Sequence, residues 1–327
     1  MSKKVLVTGG NGRCGNYMCT MLQEMGYKVT SLDTVPAAPD SANFKAGIPF
    51  VNADITNLGD CLRAILFSEA DVIVHLAGIP GPTELHPPYK DGGTPNRFTS
   101  MQRQPEDNCF KINTMGTYYM LEAARRLGVK DFIFASSYYA TGIGGRISGT
   151  SYVPKYLPVD EDHPCDPESS YGLSKYLDEI MGDSYARSYG MNVVGLRFMG
   201  IYYENSEMGR RMYKFGVNGA VAREMDGGKL INDSGQYVDA RDIAVLTDLC
   251  IKKMGGEGWK PFEAFFVASD TIYVEDTAEV IAVRWPFLKD LAGGIKGKEG
   301  IFSIAKSERM LGYKSVYTWR NAKKEDE

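Results

Sequence analysis

Six short apolar runs, each followed by a helical period or a polar loop, set the rhythm of the chain as far as residue 197. They occupy residues 5–8, 28–32, 50–55, 71–78, 131–135 and 191–197. Apolar runs of this length bounded by turn residues predict buried β-strands. Between them, Tyr17, Met18, Met21 and Leu22 recur at the spacing of one helix face, as do Met120, Leu121, Ala123 and Ala124 after Asn113. A further helix is predicted from Tyr171 to about Tyr189. This alternation predicts an α/β fold with a doubly wound parallel sheet, whose ligands bind beyond the carboxyl ends of the strands.

Two stretches break the rhythm. Residues 79–108 are rich in Pro, Gly and polar side chains without periodicity, and loops of that length are often functional, so a lid or rim is one reading and a surface excursion the other. Residues 142–169 form a second such loop carrying Tyr152 and Tyr156. Beyond Phe198 the spacing is less regular, as expected of a smaller domain assembled from several segments. Residues 237–244 are expected to return to the main domain, residues 264–267 to form one more strand, and Leu311 to Tyr313 to pack back on the core.

Composition narrows the function classes. The chain of 327 residues is 43% hydrophobic and 24% charged, which suits a soluble globular protein of one large or two ordinary domains. A net charge of -4 gives no electrostatic reason to expect nucleic acid or an anionic membrane as partner, so small-molecule chemistry is the default. Six cysteines without a C-x-x-C pair, together with three histidines, argue against a metal site or redox dithiol and for reduced thiols in the cytoplasm. The N-terminus leads straight into the first strand, with no apolar segment long enough for a signal peptide or a membrane span.

The candidate chemistry lies at the predicted carboxyl edge. Gly9, Gly12 and Gly15 are spaced by three between strand and helix, where glycines allow a tight turn, close approach to a pyrophosphate and close packing of helix on strand. Asp33 ends the second strand about twenty residues later, suited to the free ribose hydroxyls of NAD, with a plain strand-end turn residue as the alternative. Asp54 follows the third strand and can accept from an adenine amino group. Ala77 and Gly78 are small enough for a cofactor to lie across them, whereas His75 reads as a satisfied core histidine. Ser136 and Ser137 end the fifth strand. On the later helix, Tyr171 and Lys175 at i and i+4 share a face, and an ammonium there favours the phenolate of a group that otherwise titrates near about 10. An exposed helix face would show the same spacing.

Taken together, the glycine segment from Thr8 to Gly15, Asp54-Ile55, His75-Leu-Ala-Gly78, Asn113, Ser136-Ser137 and Tyr171-Gly-Leu-Ser-Lys175 resemble the extended short-chain dehydrogenase/reductase superfamily, over more than half the chain. The resemblance implies a Rossmann domain in residues 1–197 with 236–252 returning to it. It also implies a substrate domain from 198–235 and 253–320, and a frayed tail at 321–327. It implies Tyr171 as acid/base, Ser137 as its partner, Lys175 on the nicotinamide ribose and on the Tyr171 pKa, and Asn113 in a proton relay. NAD would be held by Gly9, Gly12, Arg13, Gly15, Asp33, Asp54, Ile55, Leu76, Ala77, Gly78, Tyr171 and Lys175. A homodimer through the helices after Asn108 and Ser169 is implied as well.

The chain departs from the nucleotide-sugar members in lacking an asparagine after Leu196-Arg197 and an arginine before Tyr237, where Ser234-Gly-Gln236 stands instead. Without those diphosphate contacts, a free sugar or sugar acid is the expected substrate, held by Ser137, Tyr138 and the pair Arg210 and Arg211, which otherwise read as an exposed basic pair. The expected activity is an NAD-dependent sugar dehydrogenase. The alternatives are a nucleotide-sugar 4-epimerase or dehydratase with tightly bound NAD, and a non-catalytic cofactor-sensing module.

Overall fold

The structure, a computed structural model, describes residues 2–83, 107–144, 146–148, 152–206, 209–210 and 235–321. Strand β1 (Lys4–Thr8) leads through the glycine turn into helix α1 (Arg13–Glu24), and β2 (Lys28–Asp33), the short α2 (Ala42–Lys45), β3 (Phe50–Asn52), α3 (Leu58–Ser68) and β4 (Val72–His75) follow. After a π-helical segment, Cys109–Thr114, come α4 (Met115–Arg126), β5 (Asp131–Ser137), α5 (Ser170–Tyr189), β6 (Asn192–Phe198), β7 (Gly200–Tyr202), β8 (Gln236–Asp239), α6 (Ala240–Lys253), β9 (Phe262–Val267) and β10 (Asp270–Thr271).

Seven strands form one parallel sheet in the order β3-β2-β1-β4-β5-β6-β9. Because successive side chains leave a strand on opposite faces, Val5, Val7, Val72 and Val74 join one core cluster while Leu6, Ile73, Phe132 and Phe134 join the other. A sheet buried on both faces needs apolar residues at every position, which is why these strands read as continuous runs rather than alternations.

The sequence expectations and the structure part company at several strand ends. β3 stops at Asn52 and β4 at His75, each short of the predicted run, so Asp54, Ile55 and the segment from Leu76 to Gly78 lie in loops. For β4 the reason is its neighbour: the pairing ends at Thr8 opposite His75, because β1 there turns away through Gly9 at φ 66°. β9 extends the main sheet beside β6, so this strand of the 253–320 segment is not part of a separate substrate unit. β8 pairs with β7 and β10 in a second, three-stranded sheet, while Val238 of β8 joins the main core cluster and the following helix, α6, packs against α1. Leu311 and Tyr313 are buried in the main core, with the Tyr313 hydroxyl donating to Ala268 O at 3.1 Å.

Most of the 79–108 loop lies outside the described residues. The 142–169 loop is stitched to the C-terminal region, with Val159 N donating to Ile301 O and Ser303 N to Val159 O, both at 2.7 Å. Tyr152 and Tyr156 pack on His163 within that loop, and the Tyr156 hydroxyl donates to Asp160 at 2.6 Å. No described helix is long and apolar enough to cross a membrane.

Candidate active site

Helix α5 begins because Ser169 caps it, its hydroxyl accepting from Gly172 N at 3.1 Å, and ends because Gly190 adopts the left-handed conformation that stops a helix. Between these ends the spacing predicted for Tyr171 and Lys175 is realised: Lys175 Nζ lies 6.0 Å from the Tyr171 ring centroid, and the lysine side chain is buried. Ser137, at the carboxyl end of β5, lies beside Tyr171, and its Oγ accepts from Tyr139 N at 3.2 Å. Burial pushes the Tyr171 phenol well above its ordinary value, and Ser137 works in the opposite direction. Lys175 Nζ also lies 3.5 Å from Asp178 Oδ2, so the ammonium near the ring is shared with a buried carboxylate.

Asn113 is fully buried on the π-helical segment. Its Oδ1 accepts from Ile79 N at 2.7 Å, and its Nδ2 donates to Ile79 O at 3.2 Å and to Ser174 Oγ at 3.0 Å. Both ends of the amide are thus bonded to the chain, a geometry that positions the exit of β4 beside α5. Gly78 lies in that exit. A Cβ there would press on Asn113 Oδ1 at 2.9 Å and lie 3.8 Å from Lys175 Nζ, so its absence keeps open the space beside the lysine.

The glycine turn fits a dinucleotide for the same steric reason. A Cβ on Gly9 would meet Ala77 N at 2.8 Å, and one on Gly15 would collide with Gly9 O. Gly12 N donates to Gly9 O at 3.0 Å, and Gly12 is the residue from which α1 starts, so the helix N-terminus opens toward the turn. Asp33 faces the same turn: Oδ2 accepts from Asn11 N at 3.1 Å and Oδ1 from Thr34 N at 2.8 Å. Those contacts leave lone pairs on both oxygens for ribose hydroxyls. Asp54 is exposed, its Oδ1 accepting from Thr56 N and Thr56 Oγ1 at 2.8 Å, and Ile55 is buried against Gly116. Leu76 and Ala77 are half-buried, and Ala77 N donates to Thr8 Oγ1 at 3.1 Å. Arg13 is exposed, its guanidinium stacked 4.1 Å above the Tyr203 ring.

His75 shares a 2.7 Å hydrogen bond with Thr8 Oγ1 through Nδ1, and burial pushes its pKa down to about 3, so it is neutral. Its Nε2 has no partner among the described residues, so it is satisfied on one nitrogen only.

The expected substrate residues are not all brought together. Tyr138 packs into the core on Phe302, ring centroids 5.3 Å apart, and it is the next residue, Tyr139, whose ring meets Tyr171 at 5.6 Å. The chain turns from β5 into a single 3-10 turn at this point, so consecutive side chains point to different sides. Arg210 is exposed and hydrogen-bonded to Asn205 O in its own turn. Arg211 lies outside the described residues.

Sequence reasoning missed Asn11, Tyr203 and Asp178. The signal for Asp178 was present, since a carboxylate seven residues after Tyr171 falls on the face that carries Lys175.

A family model for the NAD-dependent epimerase/dehydratase family matches residues 5–86 and 99–257. A putative UDP-glucose 4-epimerase of Methanocaldococcus jannaschii is 30% identical over 262 residues, which is 78% of this chain and 74% of that protein. Human UDP-glucose 4-epimerase is 30% identical over 212 residues, covering 61% of this chain and 53% of its own. Among solved structures, the Thermus thermophilus UDP-glucose 4-epimerase complex with NAD superposes with a TM-score of 0.62 at 22% identity, covering 96% of this chain and 95% of that one. A mutated uronate dehydrogenase gives 0.61 at 18% identity over 98% and 84%.

Proposed function

The chain belongs to the NAD-dependent epimerase/dehydratase family, and from that premise we propose that it is a dehydrogenase acting on a hydroxyl of a free sugar or sugar acid. NAD is the cofactor, and when bound it supplies the hydride acceptor. Tyr171 takes the proton from the reacting hydroxyl, Ser137 orients that hydroxyl by hydrogen bonding, and Lys175, beside the space that Gly78 keeps open, would hold the nicotinamide ribose. Asn113 holds the β4 exit so that this space persists.

Gly235 carries the choice of a free sugar over a nucleotide sugar. Its φ is 65°, and a Cβ there would collide with the Tyr273 ring, so no cationic side chain extends from the position before Gln236. Gln236 is itself committed, its amide paired both ways with the Phe302 backbone at 2.9 Å. A diphosphate needs charge-assisted donors, and this edge supplies an aromatic ring and a spent amide instead.

The second reading, a UDP-sugar 4-epimerase, is favoured by the names of the relatives. Incubating the protein with excess NAD and a panel of aldoses and hexuronates separates the two. Stoichiometric growth of NADH absorbance with one of them supports the dehydrogenase. Isomerisation of a UDP-sugar without net NADH, with NAD released only on denaturation, would sink it. The exposed Met115 and Tyr118 on α4, with Leu173 and Ile180 on α5, support a homodimer through these two helices, which sedimentation at equilibrium would test.

A further inference from the structure

Asp178 is fully buried in α5, and its carboxylate oxygens make no hydrogen bond of ordinary geometry among the described residues, with Thr117 and Lys175 beside them. A buried carboxylate left in that state costs stability, so its presence asks for a chemical reason. Tyr171, Lys175 and Asp178 stand at i, i+4 and i+7, one face of the helix, with the ammonium between the phenol and the carboxylate. Lys175 Nζ is 3.5 Å from Asp178 Oδ2, and among the described residues this is the ion pair of Lys175.

Tyr139, whose ring lies 5.6 Å from that of Tyr171, and Cys109 on the π-helical segment also face the phenol and push its pKa up. Glu179 is bonded to Ser136 and Arg197, His75 on β4 is held neutral by burial, and α4 contributes the uncharged Thr117. We propose that Asp178 is a positioning residue that draws the Lys175 ammonium away from the phenol and partly cancels its charge, and so sets how readily Tyr171 ionises. The proposal rests on Tyr171 being the acid/base of the reaction above.

The electrostatics run in one direction. Burial pushes the Asp178 carboxyl up to about 7, with Lys175 and Thr117 working against that and Glu179 with it. Once ionised, Asp178 raises the Tyr171 pKa through its own charge and by compensating Lys175. The site therefore holds, beside Lys175, a carboxyl that ionises less readily than an ordinary one.

The test needs no substrate. The tyrosinate absorbance of the NADH-saturated protein is titrated with pH, and subtraction of the same titration for Tyr171→Phe isolates Tyr171. Asp178→Asn should lower the Tyr171 pKa by about one unit or more. In a Lys175→Met background the same substitution should shift it much less. No shift, an upward shift, or an equal shift without Lys175 overturns the proposal. Asp178→Ala provides a second variant, and failure of both to fold also overturns it, since that would make Asp178 a structural residue. Turnover of Tyr171→Phe is read separately: retained turnover removes the acid/base reading, whereas an absent titration shift removes only the role of Asp178.

Discussion

Asp178 and Glu179 are consecutive on one helix, and both are buried carboxylates. Glu179 points at the sheet. It accepts from Ser136 Oγ at 2.6 Å and takes a bidentate clasp from Arg197, Nε to Oε1 at 2.9 Å and Nη2 to Oε2 at 2.8 Å. Asp178 has, among the described residues, Lys175 at 3.5 Å and Thr117 beside it. A rotation of one residue thus separates a carboxylate whose charge is compensated within the fold from one that is more loosely paired. Saturated networks rigidify, whereas partly satisfied ones respond to what binds beside them.

The largest effect should come from the chemical face. Tyr171→Phe should keep folding and NAD binding while turnover falls by roughly two to four powers of ten. Near-native turnover would remove the chemical half of the contrast.

On the structural face, Glu179→Ala strands the Arg197 guanidinium, which is 5% exposed, and should cost about 3–5 kcal/mol of stability, measured by chemical denaturation. A loss no larger than that of a surface variant would mean the clasp is dispensable.

Asp178→Asn should do the reverse and stabilise the protein, by about 1–3 kcal/mol at neutral to alkaline pH. The sign follows from linkage. Asp178 titrates at about 7 in the folded protein and in the ordinary carboxylate range when unfolded, so between those limits the folded state holds more protons. Its contribution to stability is therefore lost as pH rises toward 7. Thermal melts across that window should show the parent losing stability relative to Asp178→Asn, and parallel curves would contradict the assignment.

The smallest effect concerns a third carboxylate, half-exposed at the sheet edge. Asp33 would meet the extra phosphate of NADP with its own negative charge, so Asp33→Ala should narrow a preference for NAD by about tenfold, or ~1.4 kcal/mol, in calorimetric titrations.

Much of this site was legible in the chain because its signals are local. The glycine spacing, the acid ending β2 and the i, i+4 pair on α5 each depend on a few consecutive residues whose geometry a single turn or helix enforces. The strand runs were legible for a related reason, since burial on both faces demands uninterrupted apolar residues, and that alone distinguishes the strands from the amphipathic helices between them.

What the sequence determined by itself is therefore the alternation of elements, the glycine turn between β1 and α1, and the placing of Tyr171 and Lys175 on one helix face. Tertiary structure decided the rest. The placement of β9 in the main sheet follows from pairing with β6 at a distance in sequence, which no local pattern records. The core position of Tyr138, and the choice of Tyr139 as the ring that meets Tyr171, follow from how one turn packs on Phe302. The amide of Asn113 is committed because Ile79 and Ser174 converge on it from two other elements. Asp178 and Glu179 are near-identical in chemistry and adjacent in the chain; only the arrival of Arg197 and Ser136 on one side, and of Thr117 and Lys175 on the other, clasps one carboxylate closely and leaves the other more loosely paired.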